Sequence, residues 1–234
     1  MLFLNNDDVH SLLDMNACIE VQEQAFLGLE QGHSMHRPRI DMYVPCERED
    51  GYWRWGTMEG ATRAPGPYFA IRMKSDVITW SKDPHSGLER EDKYCVTPGT
   101  YCGLIMLFSS RNGEPLALIN DGNLQHMRVG GGAGIGAKYL SRAEAARVGI
   151  LGSGGMARTY LDAFSQVRKL GEVKVYSPNP AHRRAYAGEM AARFGIPSYA
   201  VVDSPASIRA RFTDRSGATC FPTEILAPSK AARD

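Results

Sequence analysis

The N-terminal part of the chain carries apolar residues at helical spacing. Residues 5–32 place them three and four positions apart in two runs, which predicts two helices. Asn6 or Asp7 is placed to cap the first helix, Asp14 is placed to cap the second, and Gly32 is placed to end the second. The apolar side chains of the second helix share one face, formed by Val21, Ala25, Phe26 and Leu29.

From residue 36 the pattern changes to an alternation of apolar and polar positions, which is typical of half-buried strands. Residues 36–45, 51–61 and 68–80 each predict a strand, and residues 100–121 predict a hairpin closed by an Arg-Asn-Gly turn. Residues 81–94 are polar and rich in turn formers, so we interpret them as a connection. We therefore expect residues 1–122 to form an α+β domain with mostly antiparallel strands.

The last third of the chain alternates between strand and helix patterns. A glycine-rich stretch at 124–140 is followed by a strand that enters a glycine turn, a helix, a strand at 172–178, a helix at 179–195 and a strand at 198–205. Such alternation indicates a parallel sheet with crossover helices. After residue 205 the apolar pattern stops, and we recognise no fourth strand there.

The glycine turn lies in "VGILGSGGMA", which leads from a strand into a helix. Gly152, Gly154 and Ala157 match the G-x-G-x-x-A pattern, which allows a tight turn, close approach of the backbone to a diphosphate, and packing of the helix on the strand. A diphosphate would lie at the helix N-terminus, where N–H groups and the helix dipole favour an anion. The turn predicts a dinucleotide site formed by Gly152, Ser153, Gly154, Gly155, Met156 and Ala157. The alternative is a glycine turn that serves packing only.

The end of the next strand bears on the choice between NAD and NADP. NAD sites usually place Asp or Glu there, but this sequence has Ser177, followed by Asn179, Arg183 and Arg184. A hydroxyl and cationic side chains suit a 2′-phosphate, so the cofactor is predicted as NAD(P), with NADP(H) favoured over NAD(H). The alternative is that the two arginines form the solvated first turn of a helix.

Composition and charge limit the choice of partners. The 234 residues have a formal net charge of +1, so nothing favours a nucleic-acid or membrane partner. The five cysteines are scattered and form no CxxC pair, which is typical of a reduced, cytoplasmic protein, and no metal site is predicted. The N-terminus has no basic segment of the signal-peptide type.

Three cations stand beside apolar or glycine-rich sequence. Arg39, Lys74 and Arg128 together would clamp a carboxylate, whereas the alternative for each is a surface charge whose stem packs on apolar neighbours. The alternation of Ile71 and Met73 sets Arg72 and Lys74 on the opposite face of their strand. Three acids remain ambiguous: Glu59, Asp76 and Asp121.

Several motifs in order resemble the ornithine cyclodeaminase/mu-crystallin family, from about residue 2 to about residue 205. They are "RMKSDV", "PGTYCGLIMLFSSRNGEPLAL", "MRVGGGAGIGAKYLSR" and "VGILGSGGMA". The resemblance implies a substrate-binding and dimerisation domain in residues 1–122, a Rossmann NAD(P)-binding domain in residues 123–234, and a homodimer. Arg39 is similar to the family's first carboxylate-binding arginine, with Arg37 a near competitor. Lys74 and Arg128 resemble its other substrate ligands, and Thr100 resembles a threonine near the nicotinamide.

The resemblance implies hydride transfer at the α-carbon of an amino or imino acid. We expect L-ornithine to be converted to L-proline and ammonia. The alternatives are a ketimine or imino-acid reductase, an alanine dehydrogenase-like enzyme, and a non-catalytic NADPH-binding crystallin-like protein. No residue here matches the family's catalytic aspartate, which lies in the second half of the nucleotide domain. We therefore expect a C-terminally truncated chain that ends after about the third strand of that domain. Asp203 and Asp214 are not assigned to the vacant role.

Overall fold

The computed structural model describes residues 1–48, 50–63, 66–82, 89–94, 103–201 and 218–221. The chain divides into two compact units, Met1–His126 and Met127–Asp234, here called the first and the second unit. Eleven strands and five helices are placed in the described residues, and the fold class is α/β. Each unit is built around one sheet.

The first unit begins with β1 (Leu2–Leu4), α1 (Asn6–Leu12) and α2 (Met15–Glu30). The side chain of Asn5 caps α1 by accepting from the N–H groups of residues 7 and 8, so the predicted caps one or two residues later were wrong. Asp14 caps α2 as predicted. The face of α2 predicted as apolar is exposed, because this helix buries a different stripe, formed by Met15, Cys18, Ile19 and Gly28.

The sheet of the first unit consists of β2 (Ser34–Pro45), β3 (Gly51–Thr62), β4 (Tyr68–Lys82), β5 (Glu89–Tyr94), β6 (Gly103–Ser109) and β7 (Pro115–Asn120), together with β1. Its order is β1-β7-β6-β4-β3-β2, and β5 also pairs with β4. All pairs are antiparallel except β1 with β7, and β6 and β7 form the predicted hairpin. Residues 89–94, predicted as a connection, form β5 instead, because backbone pairing with β4 supports a strand that has no apolar alternation.

The two units share α3 (Asp121–Leu140), which begins directly after β7. The glycine-rich stretch predicted at 124–140 therefore lies inside a helix. Gly130 explains part of this composition, since a Cβ there would lie 2.6 Å from the carbonyl oxygen of Thr159 on α4 (Gly155–Val167). Glycine allows α3 to approach α4 at backbone distance.

The second unit has a parallel sheet with β8 (Arg147–Leu151), β9 (Glu172–Tyr176), β10 (Ser198–Val201) and β11 (Ala218–Phe221). The helices α4 and α5 (Pro180–Phe194) connect its first three strands. The order is β10-β9-β8-β11, so the fourth strand, which the sequence did not indicate, joins the sheet beside the first. This is the 3-2-1-4 order of a doubly wound nucleotide fold, with its switch point between β8 and β11.

Candidate functional site

One face of β4, here called the inner face, carries buried charge. Arg72, Lys74, Asp76 and Ile78 alternate along it and are 8%, 4%, 1% and 0% exposed. The sequence placed Arg72 and Lys74 on one face of this strand, which is confirmed. The side chains of the other face, from Ile71 to Thr79, are only half-buried. The charged face is therefore the buried one, contrary to the usual arrangement of a half-buried strand.

Lys74 is held in this buried row by a carboxylate. Its Nζ lies 2.7 Å from Oδ2 of Asp76, and the same oxygen accepts from Nη2 of Arg54 at 2.5 Å. Arg54 stands on β3 directly opposite Asp76 in the strand register, and it is 3% exposed. The role of Asp76 is ambiguous from the sequence, and Arg54 is not among the predicted site residues, although the alternation Trp53-Arg54-Trp55 places this arginine on the face opposite the tryptophans.

Burial and pairing act in opposite directions on these groups. Burial lowers the pKa of the Lys74 ammonium, and the hydrogen bond to Asp76 only partly offsets it. Burial would raise the pKa of the Asp76 carboxyl, but the hydrogen bonds from Arg54 and Lys74 outweigh it and hold this pKa below its usual value. The row therefore presents an ammonium that depends on its neighbouring carboxylate.

A second buried ion pair ties β4 to the start of α3. Arg72 donates through Nε to Oδ2 of Asp121 at 2.7 Å and through Nη2 to the side-chain oxygen of Gln125. Asp121 is 1% exposed and Gln125 is 8% exposed. The pair fixes the first turn of the helix that carries Arg128 seven residues later. Arg128 itself belongs to the second unit, and its side chain is exposed.

A β-bulge separates the two candidate arginines of β2. The register between β2 and β3 shifts between Arg37 and Ile40, so residues on either side of the bulge exchange faces. Arg37 pairs with Glu59, which stands opposite Ile71 on the outer face of the sheet, with Nη2 2.6 Å from Oε1.

Arg39 lies on the other side of the bulge and pairs with Asp41. Its Nη2 is 2.8 Å from Oδ2 of Asp41. Asp41 stands opposite Gly56, and Gly56 stands opposite Lys74. A side chain at Gly56 would overlap the Asp41 carboxylate, so this carboxylate leans over the glycine on the inner face. The structure therefore places the Arg39–Asp41 pair on the same face as Lys74.

The predicted glycine turn lies at the C-terminal end of β8. Gly152 has a φ of 105°, which favours glycine, and its N–H donates to the carbonyl oxygen of Tyr176 at the end of β9 at 2.7 Å. The helix α4 begins at Gly155, so Gly152, Ser153 and Gly154 form the turn, and Met156 and Ala157 lie in the first helical turn. Ala157 is 1% exposed, as expected for the small residue that packs helix against strand.

The N-terminus of α4 differs from those of α1, α2 and α5. These three helices are capped by the side chains of Asn5, Asp14 and Asn179, whereas the N-cap of α4 is Gly154, which offers no side-chain acceptor. A Cβ at Gly154 would meet no atom within 4 Å. The residues therefore fit a diphosphate, since its oxygens would supply the acceptors at an open helix end.

Arg158, which the sequence analysis did not select, braces this turn. Its Nη1 donates to the carbonyl oxygens of Ser153 and Gly154 at 2.9 and 3.2 Å. Its Nε donates to Oε1 of Glu189 on α5 at 2.8 Å, and its guanidinium carbon lies 5.5 Å from the centre of the Tyr186 ring. Arg158 thereby links the glycine turn to α5.

The candidate residues for the 2′-phosphate surround the end of β9. Ser177 is 7% exposed. Asn179 accepts from the N–H groups of residues 181 and 182, and so caps α5. Arg183 is also 7% exposed, donates through Nη1 to the carbonyl oxygen of Ser177 at 3.1 Å, and lies over the Tyr176 ring. Arg184 is exposed.

Thr100, Asp203 and Asp214 lie outside the described residues. Among the residues that are described, no group of three or more His, Cys, Asp or Glu side chains is arranged to hold a metal ion. None of the helices in the described ranges is long and apolar enough to cross a membrane.

Strand order, glycine turn and open helix end together define a protein with a Rossmann-type dinucleotide fold. Comparison with known proteins gives the family. The model of the ornithine cyclodeaminase/mu-crystallin family matches residues 87–210, which is more than half of the chain. The protein belongs to this family.

Two curated relatives illustrate the range of chemistry. The Delta(1)-pyrroline-2-carboxylate reductase of Bacillus cereus is 33% identical over 110 residues, which cover 47% of this chain and 34% of the reductase. The alanine dehydrogenase of Archaeoglobus fulgidus is 27% identical over 175 residues, which cover 75% of this chain and 48% of the dehydrogenase. The matches thus cover less than half the length of these two relatives.

Solved structures resemble both units. Delta(1)-pyrroline-2-carboxylate reductase of Thermococcus litoralis, in complex with NADH and L-proline, has a TM-score of 0.69 at 27% identity and covers 89% of this chain and 58% of its own. An archaeal alanine dehydrogenase dimer with bound NAD has a TM-score of 0.67 at 26% identity. The match covers 86% of this chain and 56% of the dehydrogenase chain.

Proposed function

We propose that the chain binds NAD(P)(H) at the glycine turn of the second unit and a small amino or imino acid at the charged inner face of the first. The function is then hydride transfer at the α-carbon of that acid. The observation that carries the proposal is the turn of Gly152 and Gly154 at the switch point of a parallel sheet, followed by a helix whose N-cap has no side-chain acceptor. Relatives of this family named for such reactions support it.

The roles of the residues follow from their charges. When bound, the nicotinamide supplies or accepts the hydride. Lys74 donates from its ammonium to the substrate carboxylate, and Arg39 adds further positive charge on the same face of the sheet. The α-carbon of the substrate is bonded to this carboxylate, so binding of the carboxylate at Lys74 would also fix the position of the atom that gives or takes the hydride. None of the residues that the structure describes is assigned as the proton donor.

A cyclic imino acid is the substrate that the relatives favour first. Delta(1)-pyrroline-2-carboxylate reductases occur among both the curated relatives and the solved structures. The conversion of L-ornithine to L-proline and ammonia is the second candidate, supported by the family. Both reactions need a carboxylate-binding cation, so the buried row does not separate them.

The preference of the cofactor site is proposed as NADP(H) over NAD(H). No acidic side chain follows β9 at Ser177, and Arg184, the fifth residue of α5, is exposed. Arg183 also supports the end of β9, so Arg184→Ala is the cleaner variant. We expect it to reduce the affinity for NADPH and leave that for NADH unchanged in fluorescence titrations. Equal losses for the two cofactors would contradict the preference.

A homodimer is proposed from the outer face of the first sheet. Apolar side chains there are exposed, among them Met35 at 65%, Ile40 at 58% and Met42 at 53%. Trp53 and Trp55 extend the apolar surface on β3. We expect light scattering to give twice the mass of one chain, and Met42→Glu to give a monomer, while Leu140→Glu on α3 stays dimeric. A monomeric wild-type chain would contradict the proposal.

The reaction is tested by following NADH and NADPH absorbance after addition of Delta(1)-pyrroline-2-carboxylate. The proposal expects oxidation of the cofactor with formation of L-proline. Release of ammonia from L-ornithine with NAD+ would select the cyclodeaminase instead. Saturable NADPH binding without turnover of any amino or imino acid would overturn the proposed reaction and favour a non-catalytic binding protein.

A further inference from the structure

The environment of Lys74 is more specific than a carboxylate site requires. Lys74 and Asp76 are two residues apart on β4 and therefore share a face, and Arg54 is the register partner of Asp76 on β3. All three side chains are at most 5% exposed. One oxygen, Oδ2 of Asp76, accepts from both cations, at 2.5 Å and 2.7 Å. The three groups form a continuous buried row.

The row reaches the protein surface at Glu91, which contacts Arg54 on the side away from Asp76. Nη1 of Arg54 lies 3.4 Å from Oε1 of Glu91 on β5, and the Glu91 side chain is 33% exposed. The same oxygen lies 3.4 Å from the ammonium of Lys93. The order of charges is thus Glu91, Arg54, Asp76, Lys74, with the exposed glutamate at one end and the lysine at the other.

Electrostatics explain what each member does. A buried ammonium without an anion is too costly to stay charged, and it loses its proton instead. Asp76 supplies the anion, but it serves two cations. The charges of Glu91 and Lys93 cancel each other, so the five groups together keep an excess of one positive charge. Such an excess suits an incoming carboxylate, which would complete the pairing.

The charged groups on the neighbouring strands already have partners. Lys74 is flanked in the register by Gly56 on β3 and by Gly103 on β6, which carry no side chains. The Asp41 carboxylate of β2 leans over Gly56 on the same face, and its Oδ2 is paired with Arg39. Asp121 on α3, whose carboxylate lies beside Gly103 on the β6 side, is already paired with Arg72. Asp76 is therefore the carboxylate on which Lys74 depends.

We propose that Asp76, held in place by Arg54, is a positioning residue that fixes the Nζ of Lys74 and keeps it charged for the substrate carboxylate. The proposal rests on the proposed function, in which Lys74 binds that carboxylate. Asp76 acts through the lysine, and the Arg54–Glu91 contact holds Asp76 from behind.

The pH dependence of Lys74 separates this role from a merely structural one. Burial already lowers the pKa of the lysine, and Lys93 and Arg54 lower it further, whereas Asp76 raises it. Among these groups, only Asp76 raises the pKa of Lys74. Asp76→Asn removes that contribution, so the pKa of Lys74 falls. The lysine then becomes neutral at a lower pH, and ligand binding is lost at that lower pH.

The experiment uses the full chain in the presence of NADH and measures binding of pyrrole-2-carboxylate by calorimetry between pH 6 and 10. For Asp76→Asn, we expect an affinity near the wild-type value at pH 6. As the pH rises, the affinity should begin to fall about one pH unit or more below the pH at which the wild-type affinity falls. Beyond that point it should decrease about tenfold per pH unit. The control Glu172→Gln removes the carboxylate 3.1 Å from another buried lysine, Lys174, in the second unit, and should leave the profile unchanged.

A second measurement needs no ligand. The ¹⁵Nζ resonance of Lys74, assigned with Lys74→Arg, is titrated in the wild type, in Asp76→Asn and in Arg54→Gln. The proposal expects Asp76→Asn to titrate at lower pH than the wild type. Arg54→Gln removes a cation that lowers the pKa of Lys74 and leaves Asp76 to Lys74 alone, so this variant should titrate at higher pH than the wild type, and it provides the test if Asp76→Asn does not fold. Unchanged titration of Lys74, or an affinity reduced equally at every pH, would overturn it. Undiminished ligand binding by Lys74→Met would instead show that the proposed function is wrong at this residue.

Discussion

The two units distribute charge and apolar surface in opposite ways. The second unit buries one apolar cluster built from β8, α4, β9 and α5, with Ile150, Leu161, Val173, Val175, Tyr186 and Met190 at 0% exposure. Its buried charges reach partners at the edge, as Lys174 does with Glu172. The first unit buries Arg54, Arg72, Lys74, Asp76 and Asp121 under its sheet and exposes apolar side chains on β2.

This difference indicates that the two units bury their side chains for different reasons. Burial of apolar surface stabilises a fold without any ligand, and the second unit follows this rule. Buried ion pairs contribute little net stability, because desolvation offsets their attraction. A sheet that buries charge and exposes apolar side chains agrees with the proposed function, in which a carboxylate binds the inner face and a second copy binds the outer face.

The two units can be followed separately. All three tryptophans, Trp53, Trp55 and Trp80, lie in the first unit. Tryptophan fluorescence therefore reports unfolding of the first unit, and helical circular dichroism is weighted towards the second, which contains α4 and α5.

Breaking a buried ion pair is expected to have the largest effect. Arg72→Met leaves Asp121 buried and without its cation, which should lower the free energy of unfolding of the first unit by about 3–5 kcal/mol. The double variant Arg72→Met/Asp121→Leu should recover much of this loss. Urea unfolding followed by tryptophan fluorescence provides the measurement. Equal stability of the single variant and the wild type would contradict the buried-charge description.

Close packing in the second unit gives the next largest effect. Gly130→Ala forces a Cβ to 2.6 Å from the carbonyl oxygen of Thr159, and the backbone must move, which should destabilise this unit by about 1–3 kcal/mol. Gly136→Ala on the same helix meets nothing within 4 Å and should stabilise it by up to about 1 kcal/mol. Thermal unfolding followed by circular dichroism compares them, and matching shifts of the two would refute the packing argument.

The smallest effect is a pH dependence confined to the first unit. Burial lowers the pKa of His126, with Asp121 opposing it. The unfolded chain therefore binds the proton more readily, so stability is present above the ordinary histidine pKa and is lost as pH falls through it towards the lower folded value. We expect fluorescence-detected stability to drop between pH 7.5 and 5.5 and His126→Gln to reduce the drop. An equal drop in the variant would exclude His126 as the cause.

The sequence predicted which residues share a face better than which face is buried. Alternation along β4 placed Arg72 and Lys74 together, and the glycine turn at Gly152 followed from local sequence alone. The apolar stripe of α2 was expected inside and is exposed at Phe26, because periodicity identifies a face but not its partner. Arg54 was missed because its role depends on pairing with Asp76 across two strands, which register decides.

Other differences also come from long-range pairing. Residues 89–94 are too polar for a strand by pattern, and they form β5 through backbone hydrogen bonds to β4. Likewise, β11 is a four-residue strand whose place beside β8 depends on the whole sheet. The choice between Arg37 and Arg39 depends on a β-bulge, which leaves no clear signal in the local alternation.

The open helix end at Gly154 is proposed to hold the diphosphate of a dinucleotide. Gly154→Asp tests it, because its backbone angles of −85° and −168° suit an aspartate N-cap and a Cβ there meets no neighbour within 4 Å. In NADPH fluorescence titrations we expect the variant to lose at least about 100-fold in affinity, since like charges about 4 Å apart repel by about 4 kcal/mol. Thermal stability should stay equal or rise, and Gly154→Ala, which adds no charge, should lose much less affinity. Wild-type affinity for NADPH in a folded Gly154→Asp variant would contradict the account.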